Sequence, residues 1–170
     1  MTICPNRANY YYQSNPSETP VWKVLFAGDS FTFEKINEIK INQKYQILNI
    51  ADFCNECGNC TTFCPSNGAP YKDKPKFYLS SKSFNETDHG FMLSKLKDKT
   101  VLISKNNVSI TTLTKAKDVY EYETEKIKII FSQDDFIPKE AIAFDPSIKE
   151  ADLEEAASLK ILMEAAENLY

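Results

Sequence analysis

The chain has 170 residues, 42% hydrophobic and 26% charged, enough apolar material for one modest domain or two small ones. No apolar run approaches the roughly 18 residues of a membrane-spanning helix, and MTICPNRANYYYQSNPS lacks the basic-then-apolar pattern of a secretory signal, so the expected setting is the cytoplasm with no membrane partner. The formal net charge is −4, and the lysines of 72–76 and 95–99 alternate with Asp or apolar residues, which argues against nucleic acid as a partner.

Residues 1–9 read as turn-like, and YYYQSNPSETP (10–20) as a strand end entering a polar loop. VWKVLFA, SFTFEKI, EIKIN and YQILNI, rich in β-branched and aromatic residues, predict strands across 21–50. After the cysteine-rich segment and the Pro-punctuated GAPYKDKP, FYLS (77–80) is a further strand candidate. A second β region spans 91–133, with a hairpin turn at Lys105-Asn106-Asn107 between TVLIS and VSITTL. VYEYE and KIKIIFS alternate apolar and polar residues around a short break. From 145 the period changes to about 3.6 and predicts a helix over 145–170. Asp145 or Ser147 would cap it, Pro146 suits its first turn, and Glu150 would complete a capping box. Leu153, Ala156, Ala157, Leu159, Met163, Ala166 and Leu169 would form its apolar face.

The chain has five cysteines: Cys4, Cys54, Cys57, Cys60 and Cys64. A secreted disulfide framework spreads its cysteines so that loops can be stapled, whereas four crowded together suit metal ligation in a reducing compartment. The segment from Cys54 to Pro65 reads C-x2-C-x2-C-x3-C-P, the run that holds iron–sulfur clusters in bacterial ferredoxins. Two-residue gaps let the backbone curl around one face of a cubane and aim N–H groups at its sulfides. Gly58 would remove a Cβ from that close approach, and Pro65 would turn the chain away. Structural zinc also takes four thiolates, but usually from pairs separated by a longer stretch. The expected cofactor is therefore a [4Fe–4S] cluster.

In two-cluster ferredoxins the fourth cysteine of a run ligates the other cluster. Cys4-Pro5 looks like the tail of a second such run. On that reading Cys54, Cys57, Cys60 and Cys4 form one complete ligand set, and Cys64 serves a second cluster only if upstream cysteines are supplied by another segment or chain. The alternative has Cys64 as the fourth ligand and Cys4 as an incidental thiol.

ICPNRAN, and more strongly ILNIADFCNECGNCTTFCPSNGAPYKDKPKFYL, resembles the C-terminal iron–sulfur part of the selenate reductase-like flavoprotein family, whose flavoprotein region is similar to the small subunit of glutamate synthase. The cysteine run itself is shared with all bacterial-type ferredoxins; FCNECGNC and GAPYKDK are more particular. In that family a cysteine-rich segment precedes the equivalent of Cys4, and a flavin- and NAD(P)H-binding region lies further upstream. This sequence has neither, and no G-x-G-x-x-G occurs among its four glycines. The segment between Cys4 and Cys54 is longer than the family's. The resemblance implies a C-terminal fragment or split subunit of a flavin-dependent oxidoreductase complex, with a flavoprotein as redox partner.

The expected fold is α+β. A ferredoxin-like [4Fe–4S] module spans 1–80 with an inserted β segment at 10–50, a β-rich module spans 81–143, and an amphipathic helix spans 144–170. The chain reads as an electron-transfer module, with the substrate reaction elsewhere and no catalytic residue of its own. A freestanding low-potential ferredoxin and a zinc-stabilised interaction module are the alternatives. Phe53 and Phe63 are expected to shield the cluster, and His89, the single histidine, to be a solvated loop residue.

Overall fold

Side chains that alternate between apolar and polar can bury one face of a strand and leave the other in water. That pattern governs most of this chain. The computed structural model describes residues 4–28, 30–63, 68–107 and 109–167, and strands take up 51% and helices 19% of those residues. The N-terminal half holds β1 (Asn9–Gln13), β2 (Ser17–Ala27), β3 (Ser30–Ile41) and β4 (Tyr45–Ile50). A 3-10 turn at Ala51–Phe53 leads into the short helices α1 (Asn59–Phe63) and α2 (Pro70–Asp73). The two-residue strand β5 (Lys76–Phe77) and α3 (Ser81–Asn85) follow. A meander then runs through β6 (His89–Leu96), β7 (Lys99–Asn106), β8 (Ser109–Ala116), β9 (Val119–Glu123), β10 (Ile127–Ser132) and β11 (Pro138–Ala143). The described chain closes with β12 (Glu150–Asp152) and α4 (Glu154–Ala166).

Nine strands make one sheet in the order β1-β4-β5-β6-β7-β8-β9-β10-β11, and β12-β2-β3 make a second. The large sheet is antiparallel except at β5, which pairs parallel with both β4 and β6. Its buried face contains a row of register partners, Leu93, Leu102, Leu113, Tyr122 and Ile129, none more than 5% exposed. Such a row on one face is what alternation predicts, and burying each large side chain contributes about 1.5–3 kcal/mol. Helix α4 packs against β7 and β8 of the large sheet and β2 of the small one. Its contact surface includes Ala156, Ala157, Leu159, Met163 and Ala166, all buried, the alanines allowing close approach. Val21 and Val24 of β2 complete the same core.

The expected α+β fold, a ferredoxin-like module followed by a small β module and a helix, does not hold. The protein is mostly β, and strands on both sides of the cysteine segment share one nine-stranded sheet. The join is β5, whose parallel bridges to Asn49 and Ile50 on one side and Phe91 on the other fuse the N-terminal pair β1–β4 to the meander. The helix also starts later than expected. Residues 150–152 pair with the edge of β2, so their backbone groups are spent on a ladder. Asp145 accepts the Ser147 N–H in a local turn rather than capping a helix, and Asp152 Oδ1 takes the Glu154 N–H where α4 begins. The predicted apolar face from Leu153 to Ala166 is buried as expected, and Leu169 lies outside the described residues. Among the described residues no helix is long and apolar enough to cross a membrane.

An aromatic cluster locks the far end of the meander. Phe136 is 1% exposed, stacks on Phe131 with ring centroids 4.1 Å apart, and meets Tyr120 edge-on at 5.6 Å. Trp22 Nε1–H of the small sheet donates to the Phe136 carbonyl at 2.7 Å. Phe136 has φ +54°, a conformation that costs a non-glycine residue about 1–2 kcal/mol and is held here by the packing around its ring. Phe136→Ala should therefore destabilise the protein by about 3–5 kcal/mol in urea unfolding, a loss under about 1 kcal/mol being inconsistent with this cluster.

Burial pushes the Tyr120 and Tyr122 hydroxyls well above the usual tyrosine value, and their bonds to Glu164 and Glu155 add to the shift. A hydroxyl whose pKa is raised on folding stabilises the fold below its unfolded value, near 10, and that contribution is lost as pH climbs toward the folded value. Ultraviolet titration should show these two tyrosines staying protonated above pH ~10 and ionising only with alkaline unfolding.

Candidate functional site

The cysteine segment begins where β4 ends, and the geometry of β4 places it. Asn49 is fully buried, its N–H donates to the Pro75 carbonyl at 2.9 Å, and its Nδ2 donates to Asn9 Oδ1 at 2.8 Å. Ile50 N–H donates to the Ala8 carbonyl at 2.7 Å, extending the β1–β4 ladder by one step toward the N-terminus. The turn at residues 4–7, closed by Arg7 N–H on the Cys4 carbonyl at 3.1 Å, therefore lies at the same end of the β1–β4 pair as the 3-10 turn leading to Cys54. Cys4 is half-buried and its sulfur accepts the Ala8 N–H at 3.3 Å.

The 3-10 turn is pinned by Asp52 to the segment that follows β5. Its carboxylate accepts the Leu79 N–H at 2.7 Å and the Ser83 hydroxyl at 2.6 Å, holding the base of the loop against the start of α3. Beyond it the loop curls through Glu56 at φ +53° and Gly58 at φ +79°. Among the described residues no atom lies within 4 Å of where a Gly58 Cβ would sit, so glycine serves the left-handed backbone there rather than the close approach expected from sequence. Glu56 forms an ion pair with Lys76 of β5 at 2.8 Å, and that partner holds its carboxyl below the usual carboxylate range. Cys54 is half-buried, Cys57 exposed, and Cys60, on α1, buried. Phe53, expected to shield the site, is 48% exposed. Cys64 and Pro65 lie outside the described residues.

Cys4, Cys54, Cys57 and Cys60 are all free thiols. The topology brings Cys4 and the start of the cysteine run to one end of the sheet. Among the described residues, however, no three His, Cys, Asp or Glu side chains converge into a group that could hold a metal ion. The donor chemistry nevertheless fits a soft metal centre, with thiols on a glycine-turned loop and a backbone N–H already directed at one sulfur.

Sequence reasoning missed the electrostatic setting. The lysines at 72, 74 and 76 read as alternating and harmless, yet all three line one cleft together with Lys105 and His89. His89 opens β6 rather than lying in a loop, and it is exposed. The period-two spacing of those lysines, followed at once by a strand, was the available signal.

Fold and loop together define a mostly β protein with a cysteine-rich loop at the end of its outermost pair of strands. Over 108 residues, 63% of its length, the chain is 34% identical to the protein named "Putative oxidoreductase YgfK" of Escherichia coli strain K12, and it matches the protein of the same name in Escherichia coli O157:H7 equally well. It spans only 8% of the length of those relatives. No protein-family model and no solved structure matches the chain.

Asp52→Ala should cost about 1–3 kcal/mol, because it leaves the Leu79 N–H without its acceptor and frees the base of the loop. Hydrogen exchange should show lost protection at Leu79, whose N–H donates to Asp52, while the β7–β8 ladder stays protected.

Proposed function

We propose that this chain is an iron–sulfur protein that transfers electrons as one part of a larger flavin-dependent oxidoreductase. The observation that carries the reading is the C-x2-C-x2-C-x3-C-P run mounted on the β4 end of the sheet, with Cys4 carried to that same end by the β1–β4 ladder. Likeness to a relative named as an oxidoreductase supports a redox role, and the small share of that relative covered here leaves substrate and flavin chemistry to other segments or chains.

Cys54, Cys57, Cys60 and Cys4 would hold one [4Fe–4S] cluster, with Cys64 available to a neighbouring cluster completed from elsewhere. Bound in this way, the cluster supplies one-electron storage at a potential set by its surroundings. The residues of the chain do the rest. Four thiolates would fix the position of the group, the Ala8 N–H would offset negative charge at Cys4, and Asp52 anchors the base of the loop to the segment at Leu79 and Ser83. The redox partner is a flavoprotein.

Anaerobic reconstitution should load about four irons and four acid-labile sulfides per chain. Stoichiometric zinc without sulfide would overturn the reading in favour of a zinc-stabilised interaction module. Cys4→Ser should convert the centre to a three-iron form or lower its iron content, while Cys64→Ser should leave the iron content of the isolated chain nearly unchanged. Iron analysis and low-temperature EPR on the two variants check this, and the reverse pattern would assign Cys64 as the fourth ligand. The strands need no iron, so far-ultraviolet circular dichroism of the apo-protein should keep most of its β signal.

A further inference from the structure

The lysine-lined cleft differs from the cysteine loop in its chemistry. It encloses about 630 Å3, within the range of small-molecule sites and far more than one inorganic anion occupies. One wall is the segment from α2 into β5, with Lys72, Lys74 and Lys76. A second is the end of the β6–β7 hairpin, where His89 pairs with Asn106, Gly90 with Lys105, and Phe91 with Ser104. The third is the face of α4 from Glu155 to Leu162.

Charge sets this cleft apart from its surroundings. In a chain of net charge −4, its lining carries four lysines against the single carboxylate of Glu155. Lys76 is neutralised by Glu56, but among the described residues Lys72, Lys74 and Lys105 have no ion-pair partner. Lys105 is oriented by donating to the Asn85 carbonyl at 3.1 Å, which positions its charge without cancelling it. Cations gathered around a concave surface focus the field and favour an anion. Lysine ammonium groups are point charges suited to phosphate oxygens. Opposite them, Phe91 and Leu162, both half-buried, offer an apolar surface that an inorganic ion would not use. Glu155 is held in place by the Tyr122 hydroxyl at 2.9 Å, leaving a fixed acceptor for a ligand hydroxyl or amine.

The geometry points to a binding site for a small organic phosphate, its phosphate groups on Lys72, Lys74 and Lys105 and its apolar or aromatic body against Phe91 and Leu162. This site does not require the cysteine loop to hold iron, so the two readings stand or fall separately.

Calorimetric titration of the full chain with ADP and with inorganic pyrophosphate, in metal-free buffer, tests the proposal. ADP should bind with a Kd below about 1 mM and more tightly than pyrophosphate. The Lys74→Gln/Lys105→Gln pair should weaken ADP at least about tenfold, as expected for losing two charge-assisted contacts, whereas Lys139→Gln on β11 should change nothing. Circular dichroism confirms that the variants fold, and Lys72→Gln serves as an independent substitution. Absence of binding by either probe, equal affinity in the double variant, or pyrophosphate binding as tightly as ADP would overturn the proposal. Lysine-dependent binding of heparin without binding of ADP would also overturn it, marking the cleft as a docking surface for an acidic macromolecule.

Discussion

Two residues tie the halves of this molecule together. Lys76 and Phe77 form a strand that runs parallel to β4 on one side and β6 on the other. Parallel neighbours cannot be joined by a tight hairpin; each needs a crossover connection. The first crossover, residues 51–75, contains the cysteine run, and the second, residues 78–88, contains α3. The loop with the most distinctive chemistry is thus the connection that the sheet order demands. The alternation of the strand assigns its side chains opposite tasks. Phe77 is 1% exposed and packs on Phe91 at 5.5 Å, while Lys76 reaches out to Glu56 in the cysteine loop and lines the cleft.

Helix α4 is held at both ends by the same sheet that buries its middle. Its first turn carries Glu154 and Glu155 at the positive end of the helix dipole, and Glu155 accepts from Tyr122. Beyond its last turn, Lys115 pairs with the Glu167 carboxylate at 3.0 Å and Lys95 donates to the Glu167 carbonyl at 3.0 Å. Cations near a helix C-terminus complement the negative end of the dipole. Tyr120, bonded to Glu164, adds a further tie between the sheet and the helix. The polar tips of these residues ring an apolar contact and set where along the sheet the helix rests.

Much of the meander could be read from residue pattern. TVLIS and SITTL lie in the hairpin β7–β8 as expected, though Lys105 and Asn106 pair with Ile110 and Ser109 in the ladder rather than forming its turn, and VYEYE pairs with IKIIFS as their alternation suggests. What could not be read was the join at β5, because two residues hold no periodicity and their pairing depends on partners at Asn49 and Phe91. The helix start was misplaced for a related reason. Asp145, Ser147 and Glu150 satisfy a local capping pattern, but long-range pairing of Glu150 with Leu25 wins. At the site, the spacing of Cys54, Cys57 and Cys60 needs no fold to be recognised, whereas the cleft exists only once Lys74, Lys105 and Glu155 arrive from three elements.

Strand β3 is an edge of the small sheet, twelve residues long, and exposes Phe33 and Ile36 to water. Unpaired edges of that length invite self-association into extended stacks of chains. Here the same strand carries Lys35, Glu38 and Lys40, with Glu38 bonded to Lys35 at 2.7 Å and Lys40 at 2.5 Å. Bonding to both lysines lowers the Glu38 carboxyl to about 2, so this cluster keeps both signs of charge through mild acid. A chain docking along β3 would have to strip water from those charges, and they act as a gatekeeper that keeps a long, aromatic-bearing edge from becoming the seed of an aggregate.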